Sequence, residues 1–147
     1  MENNSLDTLR PFIGQDMSQS YSPLGRWLNG VLRAVHEDGV EVAFTVRPEM
    51  TNPAQILHGG AIASMLDDCI GMTVMFSMGF DGSHFYSSVN MQIDFLGSAR
   101  MGDEVIVRSK IVKAGRQIVN AEGWLYHSSG KLLAHATTNM LKVALRT

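Results

Sequence analysis

One stretch, His58 to Met78, carries helical periodicity, and most of the remaining chain reads as strand. That single long helix among strands is the strongest constraint on the fold. Wound at ~100° per residue, it places Ile62, Met65, Leu66, Cys69, Met72, Thr73 and Phe76 on one side. This broad apolar face predicts packing on a sheet. Gly60, Ser64, Asp67 and Gly71 fall on the opposite side. That stripe is small and polar, unlike the long charged side chains of an ordinary solvated face. Each glycine costs about 1 kcal/mol relative to alanine inside a helix, so its presence points to a close approach by something else. Two readings fit the pattern alike: a stripe that faces water, or one that meets another subunit or a ligand with Asp67 at its centre. Asp67 and Asp68 project ~100° apart and cannot act as a carboxylate pair. Asp68 sits at the rim of the apolar face.

The rest of the chain gives the partners of that helix. Trp27–His36 and Val40–Val46 read as strands joined by the hairpin signal Glu37-Asp38-Gly39. Arg47–Leu57, with Pro48, Asn52 and Pro53, reads as a loop. After the helix come Tyr86–Leu96, Glu104–Lys113, Gln117–His127 and Lys131–Val143. Ala114-Gly115-Arg116 and Ser128-Ser129-Gly130 are the turns between the last three. Near the N-terminus, Ser5–Ile13 has helical spacing interrupted by Pro11, and Gln15–Pro23 reads as a polar loop. Consecutive strands with one helix favour an antiparallel sheet packed on that helix, an α+β layout. The expectation is one domain over 1–147, with 1–24 a helix-and-loop extension.

Composition narrows the function classes. A formal charge of −2 with no basic face gives no electrostatic reason to expect nucleic acid. The single cysteine, Cys69, cannot form an internal disulfide, and its place on the apolar helix face reads as a buried structural thiol. The segment Met1–Asp16 lacks the cationic start and apolar run of a signal peptide. No apolar run approaches the ~18 residues of a membrane span. A cytoplasmic chain with no membrane partner is therefore expected. The histidines (His36, His58, His84, His127, His135) form no metal-binding spacing, so no metal is expected. No G-x-S-x-G nucleophile elbow and no G-x-G-x-x-G loop occur.

The start of the helix has its own chemistry. His58-Gly59-Gly60 stands where the first N–H groups lack intrahelical acceptors and the helix dipole is positive. Glycines give another molecule access to those donors, which suits an anion or a developing oxyanion. The plainer alternative is a helix end capped by the side chain of His58 or Asn52.

Asn52, His58-Gly59-Gly60 and Asp67 together read as N-x5-H-G-G-x6-D, and Ser88–Leu96 and Ala99-Arg100-Met101-Gly102-Asp103 follow. From about Gly25 to Val143 the chain resembles the phenylacetate-pathway branch of the 4-hydroxybenzoyl-CoA thioesterase superfamily. The resemblance implies a hotdog fold, in which a curved antiparallel sheet wraps one long helix. It also implies hydrolysis of acyl-CoA thioesters, no cofactor, and a homodimer often paired into a homotetramer, with the active site between subunits. It assigns Gly59 N–H to the thioester carbonyl and Asn52 to the carbonyl or the attacking water. Asp67 becomes general base or nucleophile, Ser88 holds the water, and His58 organises the neighbourhood of the sulfur. Ser98 stands where the family often has a proline, which affects a bend only.

Coenzyme A carries phosphates, so Arg116, Arg100 and, more weakly, Lys113 are candidates to grip them, each also readable as an ordinary surface charge. Met72, Met75, Phe76, Met78, Phe80 and Met91 are candidates for the acyl pocket. Two rival functions stay open: a non-catalytic acyl-CoA-binding module, and a hotdog enoyl-thioester hydratase. For the latter, Gly102-Asp103-Glu104-Val105 lacks the expected histidine–acid context.

Overall fold

A computed structural model of the chain describes residues 5–146. Residues 1–4 and 147, which the single-domain reading includes, lie outside the described residues. The chain opens with a 3-10 helix, Ser5–Phe12, followed by α1, Pro23–Leu28. Then come β1 (Val31–Val35), β2 (Val40–Thr45), a 3-10 turn at Pro48–Met50 and α2 (Gly59–Ser77). The chain closes with β3 (His84–Phe95), β4 (Glu104–Ala114), β5 (Ile118–His127) and β6 (Leu132–Ala144). All strand pairs are antiparallel, in the order β1-β2-β4-β5-β6-β3. This is the curved sheet around one long helix that the resemblance implies.

Two expectations need correcting. Trp27 and Leu28 belong to a helix, so the first strand begins only at Val31. The sequence carries the signal: Ser22 caps α1 by accepting from Gly25 N–H, Pro23 opens it, and Asn29 closes it in the left-handed region at φ 51°. Second, α2 has the length and apolarity of a membrane span, with 19 residues and a mean hydropathy of 1.2. Its apolar side is spent on the sheet, however: Ile62, Met65, Leu66, Cys69, Ile70, Thr73 and Val74 are all buried.

Two contacts seat α2 on the sheet. Gly123 on β5 faces the helix, and a Cβ there would stand 3.0 Å from Ile70 Cδ1 and 3.1 Å from Leu66 Cδ2. Its absence lets the helix lie close. Thr73 and Ser109, both fully buried, share a hydrogen bond of 2.6 Å between hydroxyls, tying α2 to β4. Burying hydroxyls is tolerated because each finds a partner. With that face fixed, the Gly60–Ser64–Asp67–Gly71 stripe lies off the buried face, and Asp67 reaches only the β3 edge of the sheet.

The two edges of the sheet differ. Residues 14–17 run antiparallel along β1, through Gly14 N–H to Leu32 O at 2.7 Å and Met17 N–H to Gly30 O at 2.9 Å. That edge is covered by the chain itself. β3 forms the other edge, and it exposes Val89, Phe95 and, just past its end, Leu96, each more than half exposed.

Candidate active site

Asp67 lies two turns into α2, half-buried, where the small stripe faces β3. Ser88 Oγ on β3 donates to Asp67 Oδ1 at 2.6 Å. The other carboxylate oxygen has no partner among the described residues. A bulge in β3 makes this contact compatible with the core. The pairing with β6 slips between Ser88 and Asn90, leaving Val89 as an extra residue. Side chains alternate along a strand, and one inserted residue reverses the alternation. Tyr86 and Ser88 therefore share the inner face with Met91 and Ile93, and Tyr86, Met91 and Ile93 pack against the core. Thr138 Oγ1 donates to Asn90 O at 2.7 Å beside the slip, and Asn139 Nδ2 donates to Asn90 Oδ1 at 3.0 Å.

The tip of α2 is built from both readings of the sequence at once. His58 is the N-cap, and its Nδ1 accepts from Gly60 N–H at 2.8 Å. Gly59 N–H, in contrast, has no acceptor among the described residues. The ring of Phe95 lies beside it, 3.4 Å from where a Gly59 Cβ would stand. The loop before the tip is held by Asn52, whose Oδ1 accepts from Ala54 N–H at 3.0 Å and whose main chain pairs with Ile56 O at 2.9 Å. Its carbonyl is thus committed to the turn, and the Nδ2 donor is left over. Leu57 N–H to Ala99 O and His58 N–H to Met50 O, both 2.8 Å, anchor the tip to its surroundings.

Gly59 and Asp67 are eight residues apart on one helix, roughly 12 Å along its axis at 1.5 Å per residue. One carbonyl group cannot touch both within a single chain. The glycine stripe meets nothing close either. A Cβ on Gly71 would find only Met140 Cε, at an ordinary 3.6 Å, and one on Gly60 would find its own cap, His58, at 3.1 Å. The close approach expected from the glycines is therefore not made by any described residue of this chain.

Asp67 and Ser88 open onto a cavity of about 1130 Å³. Along α2 it is lined by the acyl-pocket candidates Met72, Met75 and Phe76 and by Gly71, and opposite them by residues of the N-terminal segment, including Phe12, Met17 and Tyr21. Sequence reasoning missed this second wall. Met78, Phe80 and Met91 do not line the cavity: Met78 is exposed beyond α2, Phe80 packs edge-on against Tyr21 at 5.1 Å, and Met91 packs on the core. Asp68 also borders the cavity and accepts from Ser22 Oγ at 2.9 Å, which fastens α1 to α2. Burial pushes its carboxyl above the usual range, and the neighbouring Asp67 charge adds to this, against the lowering from Ser22.

The three candidate cations do not converge. Arg100 lies at the helix-tip end, where it bridges to Ile56 and its N–H donates to Asp103 Oδ2 at 2.8 Å. Lys113, near the end of β4, and Arg116, just past it, stand at the opposite end of that strand, both exposed. Among the described residues no three His, Cys, Asp or Glu side chains converge as a metal ion would require.

The sequence profile of the thioesterase superfamily matches residues 54–134, which include the helix tip, Asp67 and Ser88. This chain belongs to the thioesterase superfamily. It is 32% identical over 91 residues to mouse acyl-coenzyme A thioesterase 13, a match covering 60% of this chain and 62% of that protein. The chain thus aligns with less than two thirds of that relative. To the Escherichia coli K12 medium/long-chain acyl-CoA thioesterase YigI it is 27% identical over 139 residues, covering 86% of this chain and 89% of that one. A solved structure of a phenylacetic acid degradation-related protein from Ralstonia eutropha JMP134 superposes with a TM-score of 0.75 at 29% identity, covering 95% and 99% of the two chains.

Proposed function

We propose that this chain hydrolyses an acyl-CoA thioester to a free acid and CoA, working as a homodimer in which each site draws on both copies. The observation that carries the reading is the Asp67–Ser88 pair opening onto a large cavity with an apolar side of Met72, Met75 and Phe76. The free oxygen of Asp67 takes a proton from a water that Ser88 helps to place. The water oxygen bonds to the thioester carbon, and the carbonyl oxygen becomes an oxyanion. Gly59 N–H of a second copy donates to that oxyanion, with Asn52 Nδ2 beside it. Collapse re-forms the carbonyl and breaks the C–S bond, and the thiolate leaves to be protonated. One oxyanion donor of this kind contributes about 2.7–4 kcal/mol. In the alternative course, Asp67 attacks the carbon itself and water later cleaves the anhydride. Neither course needs a metal or a cofactor.

The need for a second copy follows from the roughly 12 Å between Gly59 and Asp67 on one helix. The bare edge of β3 supports it, because a long edge strand without cover, here of 12 residues, invites pairing. We extend the reading to a dimer of dimers, to one domain along the chain and to a cytoplasmic setting. The names of the mouse and Escherichia coli relatives support CoA thioesters as the substrate class. Arg100, beside the helix tip, is the phosphate ligand we favour; Arg116 and Lys113 reach the phosphates only by way of another copy.

A thiol-release assay across a panel of acyl-CoAs tests the reading. Free CoA is expected. Binding without release would identify an acyl-CoA-binding module instead, and addition of water to an enoyl-CoA would identify a hydratase.

A further inference from the structure

We propose that the N-terminal segment 5–22 is a strap that selects the acyl group by length, with Phe12 and Met17 as the selecting residues. This rests on the thioesterase reading for the identity of the ligand, but its geometry stands apart from catalysis.

The strap runs alongside α2 in the opposite direction and is fastened at three places. Ser5 Oγ donates to Ser77 O at 2.8 Å, at the end of the helix. Residues 14–17 pair with the edge of β1. Ser22 Oγ donates to Asp68 at 2.9 Å, next to Asp67. The outer fastenings are nine helix residues apart, ~13 Å along the axis. Buried Leu6 and Leu9 anchor the far end in the core. Between strap and helix lies the cavity, which begins at Asp67 and Ser88 and includes Met75, Phe76 and Phe12. The ~13 Å between the outer fastenings suits an alkyl tail rather than a two-carbon group. Serines, glutamines and Asp68 border the cavity, but Met72, Met75, Phe76, Phe12 and Met17 give it a methionine-rich apolar side, which adapts to a flexible chain. Phe12, half-exposed on the strap, lines the cavity and stops the tail; Met17, on the β1-paired stretch, sets the width. The bound species is therefore the CoA ester of an aliphatic acid of medium length.

The test uses non-hydrolysable acyl-CoA thioethers, from butyl to hexadecyl, titrated calorimetrically into the full-length protein and into Phe12→Ala and Met17→Trp. The same chain lengths are assayed as thioesters. Affinity in the wild type is expected to rise about fourfold per added methylene until the far wall is met. Phe12→Ala should move that limit to longer chains. Met17→Trp should lower dodecyl relative to butyl affinity at least tenfold. Phe12 is exposed enough that its variant is expected to fold, and melting curves check both. An unchanged limit in both variants, with hydrolysis intact, overturns the strap and leaves the thioesterase reading standing. A moved limit without hydrolysis supports the strap and overturns the thioesterase. Absence of binding at every length overturns both.

Discussion

Ser88 Oγ donates to Asp67 Oδ1 at 2.6 Å, joining the edge strand to the middle of the central helix. The bond leaves one carboxylate oxygen free and fixes the direction in which it points. Asp67→Asn should fold normally by circular dichroism and lower kcat at least ~100-fold, the low end for a positioned base. Ser88→Ala should cost less, roughly tenfold or more, since a hydrogen bond to a charged group contributes ~1.5–3 kcal/mol. Wild-type rates in Asp67→Asn would remove the carboxylate from the mechanism.

Val89 is the residue that allows Ser88 and the inner face of β3 to coexist. Deleting it forces either Ser88 or the Met91 and Ile93 pair to the outside. We expect a loss of more than ~3 kcal/mol, because each apolar side chain that leaves the core costs about 1.5–3 kcal/mol. Urea unfolding reads this directly. A deletion variant as stable as the wild type would show that the strand tolerates either register.

The helix cap makes a separate prediction. His58→Ala frees Gly60 N–H and should cost about 1 kcal/mol, lowering Tm by about 2–4 °C in a chain of this size. His58→Asn, which can cap in the same way, should recover most of it. If Ala and Asn melt alike, the ring stabilises the helix by some other contact.

Asp68 gives a pH signature. Its carboxyl is held above its ordinary value of 3.8 by burial. The folded chain therefore binds this proton more tightly than the unfolded chain. The resulting stability is complete below 3.8 and is lost as pH rises through the folded value. At neutral pH the ionised group is a net burden. Asp68→Asn should accordingly melt higher than the wild type at pH 7, with the advantage shrinking as pH falls toward 4, while the Ser22 contact is kept. A variant that melts lower at pH 7 would show that the charge itself holds α1.

Charge reversal separates the cation candidates. Arg100→Glu should raise KM for an acyl-CoA more than it lowers kcat, the mark of a group that grips the substrate away from the reacting bond. Arg116→Glu should do the same only if a neighbouring copy brings that turn to the phosphates. Steady-state kinetics on both variants, with a CoA-free thioester as reference, decide between them.

The sequence made some of this legible and not the rest, for physical reasons. Helical periodicity located α2 within a residue of its ends, and β4 to β6 fell close to their alternating runs, because each element buries one face and the pattern records it. The stripe bearing Asp67 was visible for the same reason. Trp27 and Leu28 were misread as strand because a helix of six residues is too short for periodicity; its Ser22-Pro23 start and Asn29 stop were the available signals. The Val89 bulge left no signature, since one unpaired residue is defined only by its partner strand. In the strap, Ser5–Ile13 shows only helical spacing broken by Pro11, and Gln15–Pro23 reads as a polar loop, because the cavity-facing side chains are scattered among serines and glutamines and acquire meaning only against α2. The separation of Arg100 from Arg116 needed the strand direction.

The roughly 12 Å between Gly59 and Asp67 also determines how defects combine. A copy lacking the carboxylate still carries a sound helix tip, and a copy with a blocked tip still carries a sound carboxylate. Each alone would be inert, yet a mixed pair would assemble one working centre and one doubly broken one. Two dead variants stirred together should therefore regain up to a quarter of normal turnover, since half the pairs are mixed and each revives one of two centres. Diluting either the revived mixture or the native enzyme should silence it as the pairs come apart.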